Sequence, residues 1–241
     1  PFKFFLNDNT IVTGNPNLQP AITDHFVIGA SLNDAFFVEA YYKEIDANAM
    51  ELPLQDNVNN LLIYTPTNLT RTTEYGFDFV GIFDITSRWN VYALTSFYNI
   101  EDEITLNNEL LKMDTWSNYS MMSNSLTFLK DNSLTANFSL IYVTEYQQGF
   151  QTIDTRLISD LSIKKSILNN RGSVTLTFAD LFNTQDYTVT SRYLNQDNSR
   201  FLNQDNRYVK LGFSYKFGNT GLKTNQRSEE LEERNRLEKG E

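Results

Sequence analysis

The sequence predicts an all-β fold, an antiparallel transmembrane β-barrel, from three observations. Apolar and polar residues alternate with a period of two in one segment after another, which indicates strands rather than helices. Several segments are close to the ~9–11 residues that a tilted strand needs to cross a bilayer. The connections between them are alternately short and long, like the periplasmic turns and extracellular loops of such barrels.

The pattern predicts about nine full strands. The first covers residues 22–31, and the Asn33-Asp34 pair turns the chain into a second strand at residues 36–42. Because about nine is an odd count and bacterial single-chain barrels have an even one, we expect these strands not to close a barrel alone. Their first strand should present an unpaired edge or pair with residues that are missing here. The later strands are predicted at residues 75–83, 89–97, 122–128, 134–146, 153–163, 174–182 and 208–217.

Three connections have no sustained period and are predicted to be long irregular loops, at residues 46–70, 101–114 and 184–206. The duplicated segments at 194–198 and 202–206 are predicted to be the two arms of a hairpin within the last loop. Irregular backbone is not tolerated in hydrocarbon, so the loops should share one side of the membrane. We expect that side to be the ligand or partner face, opposite the short turns.

Composition excludes several other classes. The 241 residues contain no run of the ~18 apolar residues that a membrane-spanning helix needs, so a helical membrane protein is excluded. A net charge of −10 argues against a nucleic-acid partner. The chain has no cysteine and therefore neither a disulfide nor a thiolate metal site. Because it begins at Pro1 without a signal peptide, we expect it to be a piece of a longer precursor.

The last strand carries the most regular alternation, with Val209, Leu211 and Phe213 on one face and lysines on the other. We expect the apolar face to meet lipid and Lys210 and Lys216 to point inward. The strand also resembles the C-terminal assembly signal of Gram-negative outer-membrane barrels, which the insertion machinery recognises. The residues that carry this resemblance are Lys210, Gly212, Tyr215 and Phe217.

Three further segments resemble TonB-dependent receptors of the outer-membrane β-barrel family. They are residues 14–20, where only Gln19 departs from the usual basic residue, residues 180–184, and residues 215–219. The resemblance implies a location in the cell outer membrane and a full barrel of 22 strands around a plug, of which residues 1–217 are the C-terminal part. It also implies ligand import driven by TonB through an N-terminal region that is missing here.

Beyond the last strand, residues 218–241 are predicted to be a charged periplasmic tail. Two pairs in it, Glu230 with Arg234 and Glu232 with Arg236, have the i,i+4 spacing that supports a short helix. A frayed tail is the simpler reading.

No residue is assigned to catalysis, a cofactor or a metal. His25, the single histidine, is expected to be a lumen-facing structural residue because its neighbour Asp24 must point to the opposite face. The carboxylates at 101–103 lack the spacing of a calcium loop and are read as solvated loop charges. Aromatic residues near strand ends are read as interface girdles rather than ligand contacts: Trp89, Trp116, Tyr142, Tyr146 and Tyr215.

The function that follows is a receptor and importer that binds its ligand at the extracellular loops. The alternative is a barrel that serves as a structural subunit of an outer-membrane complex, with a surface lipoprotein or other subunits as partners. A soluble β-sandwich adhesin is a third reading, and an enzyme is the least favoured. The loops are rich in Asn, Gln and Asp, which suits a polar ligand or a protein partner.

Overall fold

The computed structural model describes residues 2–106, 108–194 and 196–218, and all regular secondary structure within them is β-strand. These residues include no helix that is long and apolar enough to cross a membrane. The predicted charged tail lies almost entirely outside the described residues, and so do its two i,i+4 pairs.

A nine-stranded antiparallel sheet forms the body of the protein, and it confirms the predicted number of full strands. Each strand pairs with its neighbour in chain order, so the sheet is a continuous meander. In chain order its strands are β3 (Ile22–Leu32), β4 (Phe36–Asp46), β7 (Arg71–Thr86), β8 (Trp89–Leu106), β9 (Glu109–Phe128), β10 (Leu134–Val143), β13 (Arg156–Ile167), β14 (Gly172–Ala179) and β17 (Tyr208–Tyr215).

The sheet does not close on itself within the described residues. Strands β3 and β17 are its two edges, and each is paired on one side only. This confirms the expectation that these strands would leave the first of them with an unpaired edge.

The short connections lie together at one end of the sheet, as predicted from loop lengths. Asn33 and Asp34 have φ values of 53° and 52°, the left-handed backbone of a primed hairpin turn. The residue after β17 is tied to the turn that precedes β14, because the amide of Lys216 donates to the carbonyl of Arg171 at 2.8 Å. The end of β17 therefore lies at the same end as the short turns.

Two small four-stranded sheets occupy the opposite end, where irregular loops were predicted. The strands of the first are β1 (Lys3–Asn7), β2 (Thr10–Thr13), β5 (Ala49–Asp56) and β6 (Leu61–Asn68). Those of the second are β11 (Tyr146–Gln148), β12 (Gln151–Ile153), β15 (Tyr187–Tyr193) and β16 (Gln196–Leu202). The first sheet has the order β1-β2-β6-β5 and the second the order β11-β12-β15-β16.

The prediction of an irregular loop at 46–70 was wrong because its prolines occupy tolerated positions. Pro53 lies on β5, which is an edge strand, and proline is tolerated there. Pro66 lies on β6 beyond the three residues, Leu62 to Tyr64, that pair with β2. Neither proline breaks a hydrogen-bonded ladder.

The prediction of an irregular connection at 101–114 was also wrong. Strands β8 and β9 continue through it in register, from Glu101 opposite Asp114 to Leu106 opposite Glu109.

In the third predicted loop, at residues 184–206, a hairpin is present, but the duplicated segments do not form its arms. The arms are β15 and β16, while the second copy begins at the last residue of β16.

The two faces of the large sheet differ, and we call the apolar one the outward face. On β17, Val209, Leu211 and Phe213 are 65%, 73% and 67% exposed, and nothing in the described residues covers them. Lys210 lies on the other, inward face. This arrangement confirms the expected alternation and contradicts a soluble sandwich, in which a second sheet would cover the apolar face.

Two tryptophans mark the height of the outward apolar band. Trp89 pairs with Leu126 on β9, which lies ten residues along that strand from Trp116. At ~3.3 Å per residue and a strand tilt of about 40°, the two rows are roughly 25 Å apart along the membrane normal. That is the height of the apolar band of outer-membrane barrels, which is ~25 Å.

A small polar cluster interrupts the outward face inside this band. Thr95 Oγ1 and Ser120 Oγ are 2.7 Å apart. Asn118 Nδ2 donates to Thr95 Oγ1 at 2.9 Å, and Ser120 Oγ donates to Asn118 Oδ1 at 2.8 Å. The three side chains satisfy one another in a closed triangle, as polar groups in hydrocarbon must.

Candidate ligand-binding site

The end of the sheet opposite the short turns carries a compact structure that we call the cap. It consists of the two small sheets and residues 101–106 and 109–113 of the β8–β9 hairpin. Its buried hydrophobic cluster draws on all three parts, with Met50, Leu106, Leu111 and Met113 packed against its edge. The buried members are Leu52, Leu69, Ile104, Phe150 and Tyr193.

The cap lies over the inner side of the sheet. Ile104 belongs to the cluster, whereas its neighbours Glu101 and Glu103 point outward and interact with Lys112. Since alternate residues of a strand point to opposite faces, the cluster is on the inward face. The cap therefore covers the mouth of the space that the curved sheet partly encloses.

A buried carboxylate joins the cap to the large sheet. Asp102 is 1% exposed and accepts hydrogen bonds from Thr72 Oγ1 at 2.5 Å and from Gln147 Nε2 at 3.0 Å. Asn48 Nδ2 donates in turn to Thr72 Oγ1 at 3.0 Å. Burial raises the pKa of Asp102, although the hydrogen bonds from Thr72 and Gln147 oppose that shift.

Strand β5 holds the two small sheets together. The Tyr193 hydroxyl donates to the carbonyl of Pro53, and the amide of Gln55 donates to the side chain of Gln196. The amide of Asp197 donates to Gln55 Oε1 at 3.3 Å. Burial raises the pKa of Tyr193 to about 12, so this hydroxyl stays a donor at every physiological pH.

A cavity of about 240 Å³ lies between the two small sheets. One wall belongs to β1, β2, β5 and β6, and the other to the second sheet and its connections. Tyrosines, amides, one carboxylate and one guanidinium line it together with aliphatic side chains. Its polar and aromatic lining consists of Glu51, Tyr64, Tyr146, Gln148, Gln151, Tyr187 and Arg200.

The wall from the second sheet is one row of paired residues. Tyr146 pairs with Ile153, Ile153 with Val189, and Val189 with Arg200. Paired residues in antiparallel strands point to the same side, so two aliphatic side chains form a floor between a tyrosine and an arginine. An apolar floor with polar ends is the usual make-up of a small-ligand site.

The segment at 14–20 has a structural role beside this site. Asn15 Nδ2 donates to the carbonyl of Pro66 at 3.0 Å, and its Oδ1 accepts from the amide of Asn17 at 2.9 Å. Asn68 and Gln19 exchange two hydrogen bonds, of 2.8 Å and 2.9 Å. The turn therefore fastens the start of β3 to the end of β6.

The segment at 180–184 is a second structural turn. Asp180 and Asn183 have φ values of 46° and 56°. Asp180 Oδ1 accepts from the amide of Thr184 at 3.0 Å, and the fully buried Ser159 Oγ accepts from the amide of Phe182 at 3.1 Å. This turn directs the chain from β14 into the second small sheet.

The other residues singled out in the sequence have mixed outcomes. His25 lies on β3, and its ring meets that of Tyr41 edge to face with centroids 6.1 Å apart. Asp24 is opposite Glu44 on the other face, as expected. The reading of all three carboxylates at 101–103 as solvated charges was wrong for Asp102, because strand alternation buries it in the cap.

Four of the five predicted girdle aromatics lie on the outward face of the large sheet. Trp116 meets Tyr75 edge to face with centroids 5.4 Å apart. Tyr215 meets Phe217 in the same way at 4.7 Å. Tyr146 is the exception, because β10 ends at Val143 and Tyr146 belongs to the second small sheet. The role of Lys210, Gly212, Tyr215 and Phe217 in assembly remains a prediction.

The prediction from sequence did not identify the residues that line the cavity. Arg200 and Tyr187 alternate with polar residues within segments read as irregular, and their partners lie far away in the chain. The available signal was the alternation itself, since Tyr187, Val189, Ser191 and Tyr193 repeat every second residue.

A protein-family model described as the outer membrane protein beta-barrel family matches residues 1–215. Searches of curated proteins and of solved structures found no match. The matched residues include all seventeen strands of the part of the chain that the structure describes. The location in the outer membrane follows from the same match. The chain belongs to the outer membrane protein beta-barrel family.

Proposed function

We propose that this chain is part of an outer-membrane receptor that captures a polar ligand in the cap and imports it in the manner of TonB-dependent receptors. The cavity between the two small sheets is the observation that carries the proposal. It lies above the inward face, where a ligand released from the cap enters the lumen directly.

The two unpaired edges of the large sheet support this proposal. Within the described residues, its nine strands form an open sheet with two free edges. A full barrel of 22 strands around a plug, as the resemblance to TonB-dependent receptors implies, supplies strands that pair with both edges. The plug then occupies the lumen below the cap, and TonB drives the passage of ligand past it.

The proposal is tested by filling the cavity in the full-length protein. We expect Gln151→Trp to abolish uptake of the transported compounds while leaving membrane insertion unchanged, because the indole occupies the space between the sheets. The probes are radiolabelled mixtures of short peptides and of short oligosaccharides, supplied to cells that depend on this receptor. Heat-modifiable migration of the barrel in gels checks insertion.

Ser199→Trp is the matched control, because Ser199 is exposed on the opposite face of the second sheet from Arg200. Uptake through this control should equal that of the unmodified protein. A strain without TonB should show no uptake through either protein. Equal uptake through Gln151→Trp and Ser199→Trp would contradict the cavity as the capture site, and uptake without TonB would contradict the import mechanism.

A second candidate, the structural subunit, is favoured by β1. Phe4, Phe5 and Leu6 on this edge strand are 66%, 64% and 54% exposed. An exposed apolar edge strand is a surface on which another polypeptide can add a strand. This candidate predicts that a photo-crosslinker at Phe5 captures a surface lipoprotein or another subunit, and that Gln151→Trp has no effect on the cell.

A further inference from the structure

We infer that the cavity takes a ligand with a free carboxylate, which Arg200 binds while Arg156 positions two tyrosines of the cavity wall. The inference rests on the proposed receptor function and specifies the chemical class of its ligand. Both arginines are held by tyrosines of the cavity wall, and neither forms an ion pair with a carboxylate in the part of the chain that the structure describes.

Arg156 does not itself line the cavity, but it contacts two tyrosines that do. Its guanidinium carbon lies 4.3 Å from the ring centroid of Tyr187 and 5.8 Å from that of Tyr146. Its Nη2 donates to the Tyr146 hydroxyl at 2.9 Å. Arg156 is therefore a positioning residue, which fixes Tyr146 and Tyr187 at one end of the cavity.

Arg200 stands at the other end of the floor formed by Ile153 and Val189. Its guanidinium carbon is 5.7 Å from the ring centroid of Tyr64, and its Nη1 is 3.4 Å from the Tyr64 hydroxyl. Tyr146, which holds Arg156, and Arg200 are three strand spacings apart, about 14 Å between backbones. Their long side chains reach inward from the two ends, so one small ligand can lie between them.

The opposite wall limits the charge of the ligand. Glu51 on β5 is the only carboxylate in the cavity lining among the described residues, and it repels a second negative charge. Arg guanidinium groups match carboxylates in a planar, two-bonded geometry. A ligand with one carboxylate fits both walls, and two sources supply it: the C-terminus of a short peptide, or a uronic acid unit of an oligosaccharide.

The test uses the full-length protein in detergent and four probes, with binding measured by calorimetry. The probes are a tripeptide with a free C-terminus, its C-terminal amide, a diglucuronide and the matching neutral disaccharide. We expect one acidic probe to bind and its neutral counterpart to bind about ten- to a hundredfold more weakly, the range for hydrogen bonds to charged groups. Which acid binds identifies the source.

Arg200→Gln should weaken binding of the acidic probe by the same factor and leave the neutral one unchanged, and it does not disturb the buried part of the wall because Arg200 is exposed. Arg156→Gln is a second variant, which should weaken both probes equally because Arg156 positions Tyr146 and Tyr187 without touching the ligand. Arg192→Gln is the matched control, since Arg192 faces the other side of the sheet and pairs with Asp197 at 3.1 Å. This control should bind all probes like the unmodified protein.

Equal binding of acid and neutral probes, or equal effects of all three arginine variants, would overturn the carboxylate assignment. Failure of all four probes to bind would overturn it as well. The receptor proposal fails separately, because it requires Gln151→Trp to block uptake whatever the charge of the ligand. The two failures are therefore distinguishable.

Discussion

A charge placed on the outward face at mid-height should destabilise the protein strongly. Met122 lies on β9 between the two tryptophan rows, four residues from Leu126 and six from Trp116. At ~3.3 Å per residue it is roughly 10 Å inside the band along the membrane normal, close to the midplane. Met122→Arg should therefore cost about 2–4 kcal/mol in the free energy of unfolding, as lipid-facing arginines do at that depth.

The assay is urea unfolding of the full-length protein in lipid vesicles, followed by gel mobility. A cost of about 2–4 kcal/mol changes the unfolding equilibrium about 30- to 900-fold. Ser123→Arg is the control, because Ser123 is adjacent but points inward, opposite Tyr92 and Ser139. It should cost roughly 0–1 kcal/mol. If Ser123→Arg is the more damaging change, the assignment of the two faces is wrong.

Three further predictions concern the cap and the turns. Leu52→Ala should cost about 2–5 kcal/mol in the stability of the cap alone, since Leu52 is 1% exposed, and hydrogen exchange should show β5 and β15 opening while β8 and β9 stay protected. Because the pKa of the Asp102 carboxyl is raised in the folded cap, the folded cap binds the carboxyl proton more tightly than the unfolded chain does. The stability of the cap should therefore fall as pH rises from the ordinary carboxyl range through the raised pKa. Asp102→Asn should remove this pH dependence, measured as the urea concentration at which half of the cap is unfolded. Asn33→Val should slow insertion while Asn33→Gly does not, because a β-branched residue is strained at φ 53° and a glycine is not.

The sequence was sufficient for the large sheet because lipid imposes one rule on every strand. A strand with one face in hydrocarbon must keep that face largely apolar across the bilayer. On β17 this face carries Val209, Leu211 and Phe213, and on β3 it carries Phe26, Ile28 and Leu32. The strand predicted at residues 174–182 was too long, because β14 ends at Ala179 and residues 180–184 form a turn.

The cap could not be predicted by the same rule because its strands meet water on one side and protein on the other in varying proportion. Asp102 shows the difficulty, since it lies between Glu101 and Glu103 in a run that reads as solvated charge. Its burial depends on Gln147, which is 45 residues away. The cavity likewise depends on contacts such as that between Arg200 and Tyr64, which are 136 residues apart.

The triangle of Thr95, Ser120 and Asn118 has a consequence for how the strands find their alignment. A slip of β9 against β8 by one residue would turn its apolar face inward and is prevented by the alternation. A slip by two residues preserves every face, so alternation cannot prevent it. Such a slip would place Thr95 opposite Asn118 or Met122 instead of Ser120 and would break the triangle. Each polar group left unpaired in hydrocarbon costs several kcal/mol. The polar side chains therefore distinguish the correct pairing of β8 and β9 from the nearest alternative that the lipid alone would accept.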